Sequence, residues 1–113
     1  MKKRKINKNT KKYQNKQARI QYRKDLKEWS RLVKERDHNQ CAICNKKEFL
    51  NSHHLLPKEQ KDSKYKLDIN NGITLCSLHH KYSYDLSAHK NPSKFYQWLI
   101  TNKPNIWNWI CNH

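Results

Sequence analysis

Acidic residues are scarce in this 113-residue chain. Nine Asp or Glu stand against 25 Lys or Arg, which leaves a formal charge of +16. Long apolar runs are lacking too. The mean hydropathy is −1.28, and no stretch approaches the roughly 20 apolar residues that cross a bilayer. The opening Met1-Lys2-Lys3-Arg4-Lys5 leads into further lysines rather than an apolar segment, so no secretory leader is expected. No internal repeat and no second domain is evident, and the length suits one small domain. A chain with so little apolar surface needs a staple, a metal ion or disulfides, to hold one structure.

Four cysteines are present. Without a secretory leader they read as metal ligands of an intracellular protein more readily than as disulfides. The excess positive charge calls for a polyanionic partner, nucleic acid first. A membrane surface fits less well, because the basic stretches have no apolar face to insert.

Residues 1–19 read as a basic, flexible arm. From Met1 to Lys24 there are eleven Lys or Arg and no acid, and Asp25 is the first. Such a segment buries too little to order itself; it can follow a phosphate backbone or serve as a solvated tail. The remainder, 20–113, reads as the folded domain. Tyr22, Leu26, Trp29 and Val33 recur at helical spacing, so a helix is expected from about Ala18 to Arg36, with Trp29 as a core anchor. Arg23 and Lys27 fall mostly off that face.

Phe49 to Leu55 reads as a short strand ended by Pro57, which cannot donate a ladder hydrogen bond. A polar loop follows, carrying Lys58, Lys61, Lys64 and Lys66. The only glycine, in Asn70-Asn71-Gly72, marks a turn into a second strand at Ile73-Thr74-Leu75. A helix is expected from about Cys76, with Leu75, Leu78, Tyr82 and Leu86 as its buried face. Asn91-Pro92 reads as an N-cap and first-turn proline, opening a helix with Phe95, Trp98 and Leu99 on one stripe. Pro104 breaks it, giving a helical extension over about 91–111. The apolar group Ile106, Trp107, Trp109 and Ile110 is expected to dock on the domain or on a second copy.

Cys41-x-x-Cys44 and Cys76-x-x-His79 have the spacing of a closed tetrahedral zinc site. Two ligands on one turn reach the same ion, and two such turns complete its shell. An ion of this kind is structural, and its binding free energy counts as folding free energy. His80 is an alternative to His79 as the last ligand. Cys111 has no partner at ligand spacing and reads as a buried free thiol.

Four further residues are interleaved with this quartet: His53, His54, Asn71 and His80. In this arrangement the sequence resembles the HNH endonuclease family, over about Trp29 to Asp85. The resemblance is carried by the zinc knuckle at Cys41/Cys44, by His53-His54-Leu55, by Asn71 and by Cys76-x-x-His79-His80, with Asp68 at a further family position. It implies an α+β fold, the small ββα-metal finger with a zinc knuckle, flanked by an N-terminal and a C-terminal helix. It also implies a metal-dependent DNA endonuclease. His54 would be the general base, Asn71 would fix the loop that orients it, and His53 and His80 would hold one divalent cation, Mg2+, Mn2+, Ni2+ or Zn2+. The last zinc position is His79 where many members have Cys.

The chemistry of the residues agrees with that role. Hydrolysis of a phosphodiester needs a base that titrates near neutrality and a cation to bind phosphate oxygen. Adjacent strand residues point to opposite faces, so His53 and His54 are expected to sit where the strand ends or bulges. His89 reads as a polar residue near a helix in preference to a further ligand; His38 and His113 read as surface residues. Lys58, Lys61, Lys64, Arg23 and Lys27 are the expected phosphate contacts, which position a duplex without reading its sequence. No long recognition helix is evident. The alternative function is a zinc-stapled nucleic-acid-binding module without catalysis, and charge does not separate DNA from RNA.

Overall fold

The first helix begins at a threonine. In the computed structural model, which describes residues 10–56 and 65–113, the Thr10 hydroxyl accepts the Tyr13 N–H at 3.2 Å. That cap satisfies one of the otherwise unpaired donors of a helix start. α1 then runs Lys11–Arg36, beginning well before Ala18. Much of the expected arm is therefore helical, and residues 1–9 lie outside the described residues. The apolar spacing missed this start because no residue of the first turns is buried. Only Trp29 and Val33 of α1 are buried, while Tyr22 and Leu26 are half-buried. The molecule accordingly measures 62 × 32 × 24 Å.

At its other end α1 is tied to the sheet by polar bonds. Arg36 donates to Ile69 O at 2.8 Å and Gly72 O at 2.7 Å, and pairs with Asp37 at 2.9 Å. Asp37 Oδ2 in turn accepts the Thr74 N–H at 2.9 Å. These bonds satisfy the outer edge of a strand that would otherwise expose unpaired backbone groups. Trp29 Nε1 donates to Asp68 O at 2.8 Å, and Asp68 Oδ1 accepts the Asn70 N–H that starts a short 3-10 turn, Ile69–Asn71.

β1 (Leu50–His54) and β2 (Gly72–Cys76) form a two-stranded antiparallel sheet. The register pairs Ser52 with Thr74, His53 with Ile73 and His54 with Gly72. Every residue of β2 is buried. Toward α1 the sheet presents Ser52, whose hydroxyl lies 2.8 Å from that of Ser30, and His54. Away from α1, Ile73 and Leu75 join Leu55, Phe95 and Leu99 in one buried cluster. The architecture is mixed α+β. The irregularity expected at His53-His54 is not there. Pairing stays in register through His54, so the two histidines take opposite faces.

The expected helix after Cys76 is also corrected. The chain makes one wide turn, Leu78–Tyr82, in which the Ser83 N–H reaches back to Leu78 O at 2.8 Å. It then runs irregularly to Asn91, and Leu78 and Tyr82 are exposed. The residue this turn buries is His80. Asn91 caps α2 (Pro92–Asn102) by accepting the Lys94 N–H, and Phe95 and Leu99 are its buried residues. After Lys103, α3 (Pro104–Cys111) packs Ile106 and Ile110 on the cluster. Trp107 packs near the Tyr96 ring and Trp109 near that of Tyr65. The C-terminal apolar group thus docks on its own domain. Cys111 is exposed rather than buried, since it falls roughly 100° or more around the helix from the Ile106–Ile110 stripe. None of the described helices is long and apolar enough to cross a membrane.

Left-handed backbone positions fall on His38, Asn39, Asn45 and Phe49, with φ between 54° and 64°. Phe49 is the costly one, at roughly 1 kcal/mol for a bulky side chain. Ser77 holds it there, donating from both N–H and Oγ to Phe49 O. The glycine is used instead for close approach. A Cβ on Gly72 would lie 2.6 Å from Trp29 Cζ2 and 2.7 Å from Val33 Cγ2. Gly72→Ala is therefore expected to destabilise the fold by about 1–3 kcal/mol through overpacking. Thermal unfolding checks this, and an unchanged melting temperature contradicts the tight α1–β2 seam.

Candidate metal centre

A tight turn delivers the first two cysteines. Asn45 N–H bonds to Cys41 O at 2.9 Å and Cys41 N–H to Lys46 O at 2.8 Å, with Asn45 in the left-handed region. The Ala42 N–H donates to Thr74 O at 2.9 Å, which fastens the turn to β2. Cys76 ends that strand and His79 lies in the wide turn after it.

The ligand atoms of Cys41, Cys44, Cys76 and His79 all lie within 4.8 Å of one another. Cys44 Sγ is 3.7 Å from Cys76 Sγ. His79 Nδ1 is 3.3 Å from Cys76 Sγ and 3.8 Å from Cys41 Sγ. A tetrahedral zinc ion about 2.3 Å from sulfur and about 2.0–2.1 Å from nitrogen requires edges of about 3.8 Å between sulfurs and 3.6 Å from sulfur to nitrogen. The group can hold a metal ion, and its dimensions suit zinc. Burial and the neighbouring thiols push the Cys44 thiol up to about 11. For Cys41 burial again opposes ionisation, but N–H groups of Cys76, Cys44 and Ile43 facing its sulfur lower it overall. A divalent cation removes the conflict, because it neutralises thiolates that would otherwise repel.

A second group lies beyond the next peptide bond. His53, His80 and His89 bring their ring nitrogens within 4.8 Å of one another. His80 Nε2 and His89 Nε2 are 3.0 Å apart, and the His53 ring stands edge-on to both. Burial, then the nearby histidines, lowers His53 to about 3. Burial, then His89 and Lys81, lowers His80 to about 4. Both are neutral at pH 7, with lone pairs to offer a cation. The buried Nδ1 of His80 has no hydrogen-bond partner among the described residues, so the chain there leaves a polar atom for something else to satisfy. The trio contains no carboxylate.

His53 and His80 thus meet as the spacing implies, and His79 rather than His80 joins the cysteines. His89, expected to be a polar residue near a helix in preference to a ligand, joins His53 and His80. The wide turn folds the chain back so that Ala88 N–H meets His79 O at 2.9 Å and His89 N–H meets His80 O at 3.0 Å. Nothing in the sequence signals it, because nine residues can span about 30 Å and the wide turn alone brings His89 back. Turns of this type are rare and gather at functional sites.

His54 stands apart from the trio. Its ring stacks on Trp29, centroids 3.8 Å apart and planes 8° from parallel. Its Nε2 lies 2.9 Å from Lys66 O; a carbonyl only accepts, so Nε2 of the neutral ring carries the proton and Nδ1 the lone pair. Asn71 is fully buried. Its Oδ1 accepts the Leu56 N–H at 2.6 Å and its Nδ2 donates to Tyr65 O at 3.1 Å. It therefore fastens both ends of the segment 57–64. Lys58, Lys61 and Lys64 lie in that segment, outside the described residues, while Arg23 and Lys27 are exposed on α1.

No protein-family model, curated protein or solved structure matches this chain. The quartet makes a direct prediction. Cys44→Ser, or chelation of tightly held zinc, is expected to abolish the cooperative thermal transition, since ion binding and folding are one event in so small a core. Circular dichroism during heating reads it. A cooperative transition that survives either treatment contradicts the structural role.

Proposed function

We propose that the chain is a metal-dependent endonuclease of the HNH type, built on the ββα-metal finger and cutting DNA. The observation that carries this reading is the pair of ligand groups abutting at His79–His80. One is closed and sulfur-rich, suited to a structural zinc. The other is made of imidazoles and offers three ligands, which leaves positions for water and phosphate oxygen. A cation held by His53, His80 and His89 would bind a non-bridging phosphate oxygen and stabilise the leaving 3′ oxygen.

The remaining roles belong to the chain. Lys66 O fixes the His54 tautomer, so that Nδ1 is the nitrogen that accepts a proton from attacking water. Trp29 holds the ring in plane, and Asn71 keeps the ends of the adjoining segment in place. The products expected are a 5′-phosphate and a 3′-hydroxyl. With imidazoles only, the trio favours borderline transition ions such as Zn2+, Ni2+ or Mn2+ over Mg2+, which prefers oxygen.

A non-catalytic zinc-stapled nucleic-acid module is the competing reading. One feature favours it: His54 stacks on Trp29, on the face of the sheet opposite the trio. Plasmid nicking with each cation separates the two. The wild type is expected to cut, and His54→Ala, matched for zinc content and melting, to lose about 10²–10⁴-fold in rate, the contribution of a general base. Inert wild type with every cation, or equal cutting by both proteins, rejects the nuclease assignment.

A further inference from the structure

Charge on α1 is not spread evenly. At 3.6 residues per turn, Lys12, Lys16, Arg19, Arg23, Lys27 and Lys34 fall within a sector of about 80°. The acids Asp25, Glu28 and Glu35 lie on the opposite side of the helix. There Glu28 and Glu35 pair with Arg31, and Asp25 accepts from Gln21. Among the described residues no stripe residue takes part in an ion pair, and all but Lys34 are exposed. Like charges at i, i+4 cost helix stability, so a row of them on a projecting helix asks for a compensating anion.

We propose that this stripe is a rail for the sugar–phosphate backbone of a DNA duplex. From Lys12 to Arg23 it extends roughly 17 Å, at about 1.5 Å per residue. One strand of a duplex presents a phosphate about every 3.4 Å along its axis, so a rigid row of cations meets a regularly spaced row of anions along the groove edge. An anionic membrane fits less well. Tyr13 and Ile20 lie on a different side of the helix from Tyr22 and Leu26, so no apolar face accompanies the charges. The stripe also borders the sheet: Ser30, within the same sector, touches Ser52 of β1, on the face that carries His54. A duplex held on the rail therefore runs past the face of β1 that carries His54. The inference needs no chemistry there, and a nuclease and a binding module would share it.

The test compares two full-length variants that remove equal charge. One replaces Lys16, Arg19 and Arg23 by Gln on the stripe. The other replaces Lys11, Lys24 and Lys47 by Gln away from it. Gln keeps helix propensity, and matched melting confirms folding. Binding to a labelled duplex of about three helical turns is measured by anisotropy against salt, with no divalent cation added. The stripe variant is expected to lose tenfold or more in affinity near 0.15 M salt, and its log–log salt slope to fall by about two to three, at about 0.9 per phosphate contact. The control is expected to change less than about threefold. Equal losses in both variants, an unchanged slope in the stripe variant, or tighter wild-type binding to phosphatidylserine vesicles than to the duplex overturns the proposal. Because the readout is binding, it stands or falls separately from the nicking result.

Discussion

The closure of Cys41, Cys44, Cys76 and His79 around one point governs everything else in the fold. Among the described residues the sheet has two strands, and an isolated two-stranded ribbon is marginal in water. Helices cover both of its faces, yet few large apolar side chains are fully buried, chiefly Phe95, Ile73, Leu75, Leu99 and Val33. That is a thin core against the entropy of ordering the chain. The four ligand residues join the loop before β1 to the turn after β2 at one end of the sheet, where Leu50 pairs with Cys76, and a metal ion held there would clamp that end. The Ala42–Thr74 and Ser77–Phe49 backbone bonds join the same stretches.

The wide turn Leu78–Tyr82 is where scaffold and second ligand group meet. An ordinary α-helical turn would send His79 and His80 about 100° apart on a continuing cylinder, and the chain would carry His89 away. The wider turn ends the helix early. His79 reaches back to the cysteines, His80 turns into the interior, and residues 88–89 return to bond to the backbone of 79–80. Three histidines from three separate stretches converge only because of that return.

Features that depend on short-range chemistry were legible in the sequence. The Cys-x-x-Cys and Cys-x-x-His pairs, the Asn91 cap, the Pro104 break and the two strands each follow from a few neighbouring residues. What escaped was decided elsewhere. α1 begins at Lys11 because Thr10 caps it and because Lys, Arg and Gln tolerate a helix without burial; apolar periodicity cannot see that. Leu78 and Tyr82 look like a buried face until the turn ends beneath them. Cys111 looks like a core thiol until the position of Ile106 and Ile110 sets which side of α3 is inward. Strand alternation was the right rule for His53 and His54, and the irregularity invoked against it was unnecessary.

The two ligand groups place neighbouring residues, His79 and His80, where each could serve a different ion. Native mass spectrometry of the zinc-saturated chain tests this most directly. Two zinc ions per chain are expected for the wild type and one for His53→Ala, with the fold intact in each. A single ion at every zinc concentration in the wild type, or two retained by His53→Ala, would contradict it.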